Sequence, residues 1–571
     1  MRNCAAVQSR PFNIAQALQE AVNLHQQGRL REAEKLYARV LKAAPENFNA
    51  LHLLGLIKAQ NGQMGDAYRL MSAALKINPN APDALINFAN VLHALKRDSE
   101  ALDCLDKALA LQPGDLEATL YRGNALNVLD RPQDALACFD TVLARNPHRG
   151  DALLNRGIAL AKLGRHAQSL VDFDAVIAQV PNHVEALYNR ATALLNLDRQ
   201  TEALETFDRV LVHAAQHAKA WNNRGRALQT LNRHLDAVVS FEKAIAIDKS
   251  YADAHFNLAL SLLTLGALQR GFAEYEWRWK RTGMSDTRRG YRGRQWLGEF
   301  PLGQRTILLP AEQGLGDTLQ FVRFAPLLAR AGATTILEVH PELKALLANV
   351  DGIASCHARG EALPGYDYYC PLGSLPLAFK TEPATIPGNI PYLSADDAHT
   401  AKWRPAIEAL SGKRVALAWA GNARHANDRN RSIGFKLLEP LFALEGVSFI
   451  SIQRELRDDD AALLARHYNI IHVGDNLADM ADTAAIVALA DLTITVDTSV
   501  AHLAGAMGQD AWVLVPFSPD WRWTLSDERS PWYPRSRLFR QNAPGDWPSV
   551  ITQVRNAVLG VKNVSADQAA H

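Results

Sequence analysis

The sequence predicts an α-solenoid followed by an α/β region of two Rossmann-like lobes. Three observations carry that expectation: a 34-residue period through the first half, a change to short β-rich runs near residue 304, and a proline-spaced break inside the second half. With 571 residues, the chain is longer than one hydrophobic core can organise. Its 61 Lys and Arg against 60 Asp and Glu leave a formal charge of +1, so nothing electrostatic points to nucleic acid or an anionic membrane as the main partner.

The solenoid rests on two columns. A small residue recurs at Ala21, Gly55, Ala89, Gly123, Gly157, Ala191, Gly225 and Ala259, and a large apolar one at Tyr37, Met71, Leu105, Phe139, Phe173, Phe207, Phe241 and Tyr275. Between them run Ala33, Ala67, Ala101, Ala135, Ser169, Ala203, Ala237 and Gly271. Small residues let two antiparallel helices approach, and the large residue is expected to fill the space between neighbouring units. Pro45, Pro79, Pro113, Pro147 and Pro181 close the first five units, because proline stops a helix; Ala215, Lys249 and Gly283 stand there later. The pattern resembles the tetratricopeptide repeat, in eight copies over residues 13–283. The last copy, with Tyr275, Trp277, Arg278 and Trp279, departs from it most and is expected to cap the array against the next domain.

Two positions before the small residue stand Asn87, Asn155, Asn189, Asn223 and Asn257, interrupted by Tyr121. At about 100° per residue this column lies roughly 200° from the packed seam. An amide that donates and accepts suits the backbone of an extended peptide whatever its side chains. The alternative is that these asparagines cap turns or face water. A similar ladder lines the superhelix of O-linked N-acetylglucosamine transferases, where it holds acceptor polypeptide.

After an Arg- and Gly-rich stretch (284–303, expected as a connector), strands are predicted at 306–309, 335–339 and 366–371, then at 414–419, 447–452, 470–473, 492–496 and 512–515. Apolar strands alternating with helices argue for parallel sheets covered on both faces. The segment 383–405 divides them into lobes at 304–400 and 401–560, with 561–571 expected as a disordered tail. Ligands of such sheets sit at the carboxyl ends of strands.

Three constellations fall there. Glu312-Gln313-Gly314-Leu315-Gly316-Asp317 opens a helix; its glycines permit close backbone approach, and Asp317 offers a carboxylate, although an aspartate at such a place is commonly a helix cap. Trp419-Ala420-Gly421-Asn422, then His425, Arg429, Arg431 and Lys436, offers backbone amides and cations to a diphosphate. Asp497-Thr498-Ser499 leads into His502, with hydroxyls and N–H groups at a positive helix end.

Together these resemble the heptosyltransferase-like GT-B glycosyltransferases over about residues 304–560. In that family the Gly-x-Gly-Asp loop and the Asp-Thr-x-x-x-His segment form opposite walls of the active cleft. The run Pro516 to Trp523, with 530–533 and 538–541, looks like the form of this domain fused to tetratricopeptide repeats in bacteria. Some such fusions glycosylate flagellin, so a protein acceptor is implied, held by the asparagine column. The resemblance implies an inverting displacement with Asp317 as base. Gly314, Gly316, Asn422, Asp497, Thr498 and Ser499 then serve the donor and its phosphates, with His502 in the catalytic group and Arg431 and Lys436 as cations. Where the family has an acidic residue near the nucleoside, this chain has Gln453 and Arg454, which leaves base and sugar open.

The only co-substrate implied is a nucleotide sugar, with no metal expected, because Asp396-Asp397 and Asp458-Asp459-Asp460 read as solvated first turns of helices. Five scattered cysteines and no apolar run of about 18 residues suggest a cytoplasmic protein without a membrane span. Homo-oligomerisation stays open. Two other functions fit the same sequence: a scaffold whose α/β part has lost catalysis, and a transferase acting on a lipid-linked saccharide.

Overall fold

A computed structural model describes residues 12–282, 290–425, 427–457 and 459–560. Sixteen consecutive helices, from Ile14–Gln26 to Leu268–Tyr275, form eight antiparallel pairs. The first helix of each pair ends on a residue with left-handed backbone: Gly28, Gly62, Lys96, Asp130, Gly164, Asp198, Asn232 and Gly266, with φ between 56° and 78°. Only half of these are glycine. Asp and Asn tolerate the conformation through short polar side chains, which hides the column from a search for glycine.

Within a unit the large residue packs onto the small residue 16 positions before it. A Cβ built on Gly123 would stand 2.6 Å from the Phe139 ring, on Gly157 2.5 Å from Phe173, and on Gly225 2.4 Å from Phe241. The ring thus fills the space inside its own unit, and the large residues also reach the next one: Tyr37 clusters with Ala50, Met71 with Val91 and Leu105 with Ala118. Tyr37, Phe139, Phe173, Phe207 and Phe241 are completely buried. At about 25 cal/mol per Å² of apolar surface, each ring anchors its helix pair by roughly 2–3 kcal/mol.

Units are also joined by charge. Arg122 bonds Asp106 of the preceding helix and the Cys138 thiol of the following one. Arg156 repeats this with Asp140 and, through two bonds of 2.9 and 2.7 Å, with buried Asp172. Arg190 does so with Asp174 and the Thr206 hydroxyl.

Compactness divides the chain elsewhere than the repeat pattern does: one unit ends at Ala215 and the other begins at Gln216. The last two helix pairs therefore belong with the α/β part. In that second unit Asn232 donates to the Phe517 carbonyl, and Phe272 meets Phe321, Trp521 and Trp532 edge to face.

Among the described residues twelve strands make two sheets: β1 Arg294–Gln295, β2 Thr306–Pro310, β3 Thr334–Val339, β4 Ser355–Ala358 and β5 Tyr368–Tyr369, then β6 Lys413–Ala418, β7 Val447–Ser451, β8 Ile470–His472, β9 Leu492–Val496, β10 Ala511–Val515, β11 Arg529–Ser530 and β12 Tyr533–Arg540. The first sheet runs β1-β5-β2-β3-β4 and the second β11-β12-β10-β9-β6-β7-β8. All pairs are parallel except β11 with β12. Strand order reverses beside β2 in one sheet and beside β6 in the other, which puts a crevice at each switch point.

The stretch expected as a connector is partly structural: Arg294–Gln295 is an edge strand, and Trp296 and Leu302 are buried in the core. Two residues of strand carry no periodicity, so the sequence does not announce them. Gly283 and the stretch 283–289 lie outside the described residues, as do Asp458 and the tail 561–571.

Candidate active site

The two switch points meet through their helices. Helix Leu315–Phe321, after β2, packs against helix Ser499–Ala506, after β9. Gly316 makes the approach possible, because a Cβ there would stand 2.6 Å from Cδ2 of His502. Its lack of a side chain leaves the room that His502 occupies. Gly314 is the N-cap, and its N–H donates to Asp317 Oδ2 at 3.0 Å.

Asp317 is therefore a cap and something more. Its Oδ1 pairs with Arg522, which bonds Asp520 at 3.0 Å and reaches the Gln320 side chain. About a quarter of the Asp317 side chain stays accessible, and each carboxylate oxygen has a second lone pair to offer. Arg522 is the residue that sequence reasoning overlooked. It was visible only as part of an aromatic run, while two of its partners, Gln320 and Asp317, lie some 200 positions earlier.

His502 is buried, with Nδ1 2.9 Å from the Tyr533 hydroxyl. Burial, reinforced by Arg522, Arg323 and Arg431, holds its pKa well below the ordinary value. At neutral pH it is an uncharged imidazole that contributes one N–H and one lone pair, not a cation. Thr498 caps its helix, accepting from Val500 N–H at 3.3 Å and lying 3.2 Å from the Thr495 hydroxyl. That hydroxyl is turned back on the chain, whereas the sequence suggested it was free; Ser499 beside it is half-buried. Buried Asp497 ends the strand side of this turn. Burial and the neighbouring Asp520 push its carboxyl up to about 6, against the opposing pull of Trp523, Arg431 and Arg522.

The loop after β6 is internally braced. Asp428 bonds Ser432 and Arg457, and Ser432 accepts from Gly421 N–H. Gly421 leaves room for Arg431, whose guanidinium would lie 2.6 Å from a Cβ there. Arg431 Nη1 donates to the Asp497 carbonyl at 2.9 Å, while its buried Nε has no hydrogen-bond partner among the described residues. The Asp428 carboxylate stands 3.9 Å from that Nε, an ion pair without a hydrogen bond.

The remaining expected residues are exposed or serve the fold. Asn422 is exposed and accepts from Arg424 N–H, and Lys436 is exposed on the turn Phe435–Leu438. Gln453, expected near the nucleoside, is a buried strut. Its Oε1 accepts from Trp419 and Ala420 N–H, and its Nε2 donates to the Ala420 and Glu455 carbonyls. The donors and acceptors of its side chain are thus all engaged within the protein; Arg454 next to it is exposed.

In the repeats the asparagine column is half-buried or buried rather than open to water, and it stitches consecutive first helices. Asn87 Nδ2 meets His52 Nε2 at 3.0 Å, Asn155 donates to Asn124 Oδ1 at 2.9 Å, and Asn257 to Asn222 Oδ1 at 3.0 Å. Asn223 Oδ1 accepts from Asn222, and Asn189 is half-buried. Neither alternative drawn from sequence, turn cap or solvated face, describes Asn87, Asn155 and Asn257, which tie helix to helix.

The family described as "Tetratricopeptide repeat" matches residues 122–173, 156–220 and 218–251. Together with the sixteen paired helices, this decides the architecture. The first half of the chain is a tetratricopeptide-repeat solenoid. Residues 26–108 match the family described as "Anaphase-promoting complex, cyclosome, subunit 3". Protein FlbA of Caulobacter vibrioides is 26% identical over 328 residues, covering 52% of this chain; the chain spans about half, 54%, of that relative's length. Among solved structures, a tetratricopeptide repeat protein from Parabacteroides merdae is 21% identical, with 44% of this chain and 98% of that chain covered and a TM-score of 0.36. YrrB, described as a tetratricopeptide-repeat protein with an unusual peptide-binding site, is 27% identical over 32% of this chain and 95% of its own, with a TM-score of 0.28. No helix among the described residues is long and apolar enough to cross a membrane.

Proposed function

We propose that this chain is a glycosyltransferase that moves a sugar from a nucleotide-sugar donor to a serine or threonine hydroxyl of a protein held by its tetratricopeptide repeats. One observation carries the reading: the helix that bears Asp317 packs against helix Ser499–Ala506 beside two sheet switch points, with Arg522 bonded to Asp317 and Arg431 to the Asp497 carbonyl.

In the proposed reaction the acceptor oxygen forms a bond to the anomeric carbon as the bond to the departing phosphate oxygen breaks. The acceptor proton passes to Asp317, and the electron pair leaves with the nucleoside phosphate. Arg431, the His502 N–H and the amides opening the helix are suited to the leaving anion. Asp317 is fixed on both oxygens yet accessible, the condition under which a base needs no reorientation. In this reading Asn87, Asn155, Asn189, Asn223 and Asn257 grip acceptor backbone with the valences that remain after they tie helix to helix. A flagellin-like acceptor follows from the resemblance alone.

The test is turnover and thermal-shift binding over a panel of uridine, guanosine and cytidine nucleotide sugars. Asp317→Asn should lower turnover by about 10³-fold with donor binding kept, since Asp520 still neutralises Arg522. Binding without turnover in the unaltered chain would favour the scaffold, and absence of both would reject the donor site.

A further inference from the structure

The last helix pair makes more polar contact with the loop carrying Asp317 than a cap requires. Arg278, in the short turn Glu276–Lys280, is wholly buried and spends its guanidinium on three elements. Nε and Nη2 each donate to Glu312 at 2.9 Å, Nη2 also to Ser374 at 2.7 Å, and Nη1 to Glu276 at 2.6 Å and to the Tyr275 carbonyl at 3.1 Å. Glu312 accepts a further bond from Gly373 N–H at 2.9 Å. The next residue, Gln313, exchanges two bonds with the Tyr275 hydroxyl, at 2.9 and 2.7 Å. Glu312 and Gln313 immediately precede Gly314, whose N–H holds Asp317.

We infer that Tyr275 and Arg278 of the final repeat are positioning residues for the glycine loop, so that the repeat array supplies part of the frame of the active site. The physical reason is rigidity. A loop of glycines between a strand and a helix has little to hold it except its neighbours. Here both side chains leading into it are clamped by a bidentate, charge-assisted pair and a two-way amide–phenol pair. Packing alone would need only the apolar contacts of Phe272. The role of the loop rests on the reading of Asp317 as base, but its anchoring does not.

The experiment uses the full chain with Tyr275→Phe and Arg278→Lys. Tyr275→Phe keeps the ring and removes only the hydroxyl; Arg278→Lys keeps the charge and removes the fork. Amide exchange is followed over residues 312–319 and, as control, over β6 and β9. Both variants should speed exchange of 312–319 at least about fivefold while the control strands stay unchanged. They should lower turnover of the nucleotide sugar found for the unaltered chain about tenfold with donor KM unchanged, as misplacement of a reacting group does. If Arg278→Lys fails to fold, Tyr275→Phe decides. Unchanged exchange in the loop overturns the inference, as does unchanged kcat in an active enzyme. An unaltered chain that turns over no donor would defeat the glycosyltransferase reading and leave the exchange result to judge the anchoring.

Discussion

The repeats and the α/β lobes use glycine and arginine in opposite ways. In the repeats Gly123, Gly157 and Gly225 all do one thing, making room for a phenylalanine 16 residues on, and Arg122, Arg156 and Arg190 all bridge the helices before and after their own. In the lobes Gly316 admits a histidine from the other lobe and Gly421 an arginine, while Arg323, Arg431 and Arg522 each have a different set of partners. A repeat contact is one solution copied; a lobe contact is solved once. The first kind should give transferable energies and the second should not.

The largest expected effect tests the copied solution. Phe173→Ala should cost about 3–5 kcal/mol, measured by urea unfolding. Phe139→Ala should fall within about 1 kcal/mol of it, since both rings cover a glycine in the same geometry. A wide spread between the two would break the comparison.

Next comes the unique contact. Gly316→Ala should destabilise by about 1–3 kcal/mol through collision with His502, whereas Gly314→Ala should be nearly neutral, its nearest neighbour being the Asp317 carboxylate at 3.4 Å. Thermal unfolding of both variants gives the contrast, and equal losses would sink it.

Asp497 offers a smaller effect with a definite sign. Its carboxyl is raised in the fold from the ordinary 3.8 to about 6, so between those values the native state holds more protons than the unfolded one. Its contribution to stability is therefore present at low pH and falls as pH rises through this window. Asp497→Asn should remove that slope and gain on the order of 2 kcal/mol relative to the parent at pH 7. The readout is the unfolding midpoint at pH 4, 5, 6 and 7, and a parallel shift at every pH would contradict the assignment.

The smallest effect belongs to the solvated ion pairs of the repeats. Glu202→Gln, opposite the exposed Arg199, should leave the urea unfolding midpoint unchanged.

Legibility follows the same division. The columns of small and large residues were plain in the sequence, and so was an arginine column at 34-residue spacing with Asp106, Asp140 and Asp174 in phase, which passed unnoticed beside the asparagines. The column of left-handed turn residues was obscured because Lys96 and Asn232 stand where Gly28 and Gly62 do. In the lobes the long apolar strands were recognisable. β4, half-exposed and four residues long, and β12, which carries Pro534 and three arginines, were not. Of the site, Asp317, Asp497 and His502 could be picked out as polar residues following buried strands. The parts played by Arg522, Arg278 and Gln453 could not, since each depends on partners that no local pattern names.

From sequence alone came the number and phase of the repeats, the identity of the rings they bury and the presence of two parallel sheets, because those features arise from contacts at fixed, short separations that recur. Tertiary structure decided which polar groups meet: that Gly316 yields to His502, that Gln453 braces a strand end, and that the last repeat reaches the loop of Asp317. A buried hydrogen bond can be satisfied by any partner of suitable polarity, from any distance along the chain, so only the folded arrangement selects one.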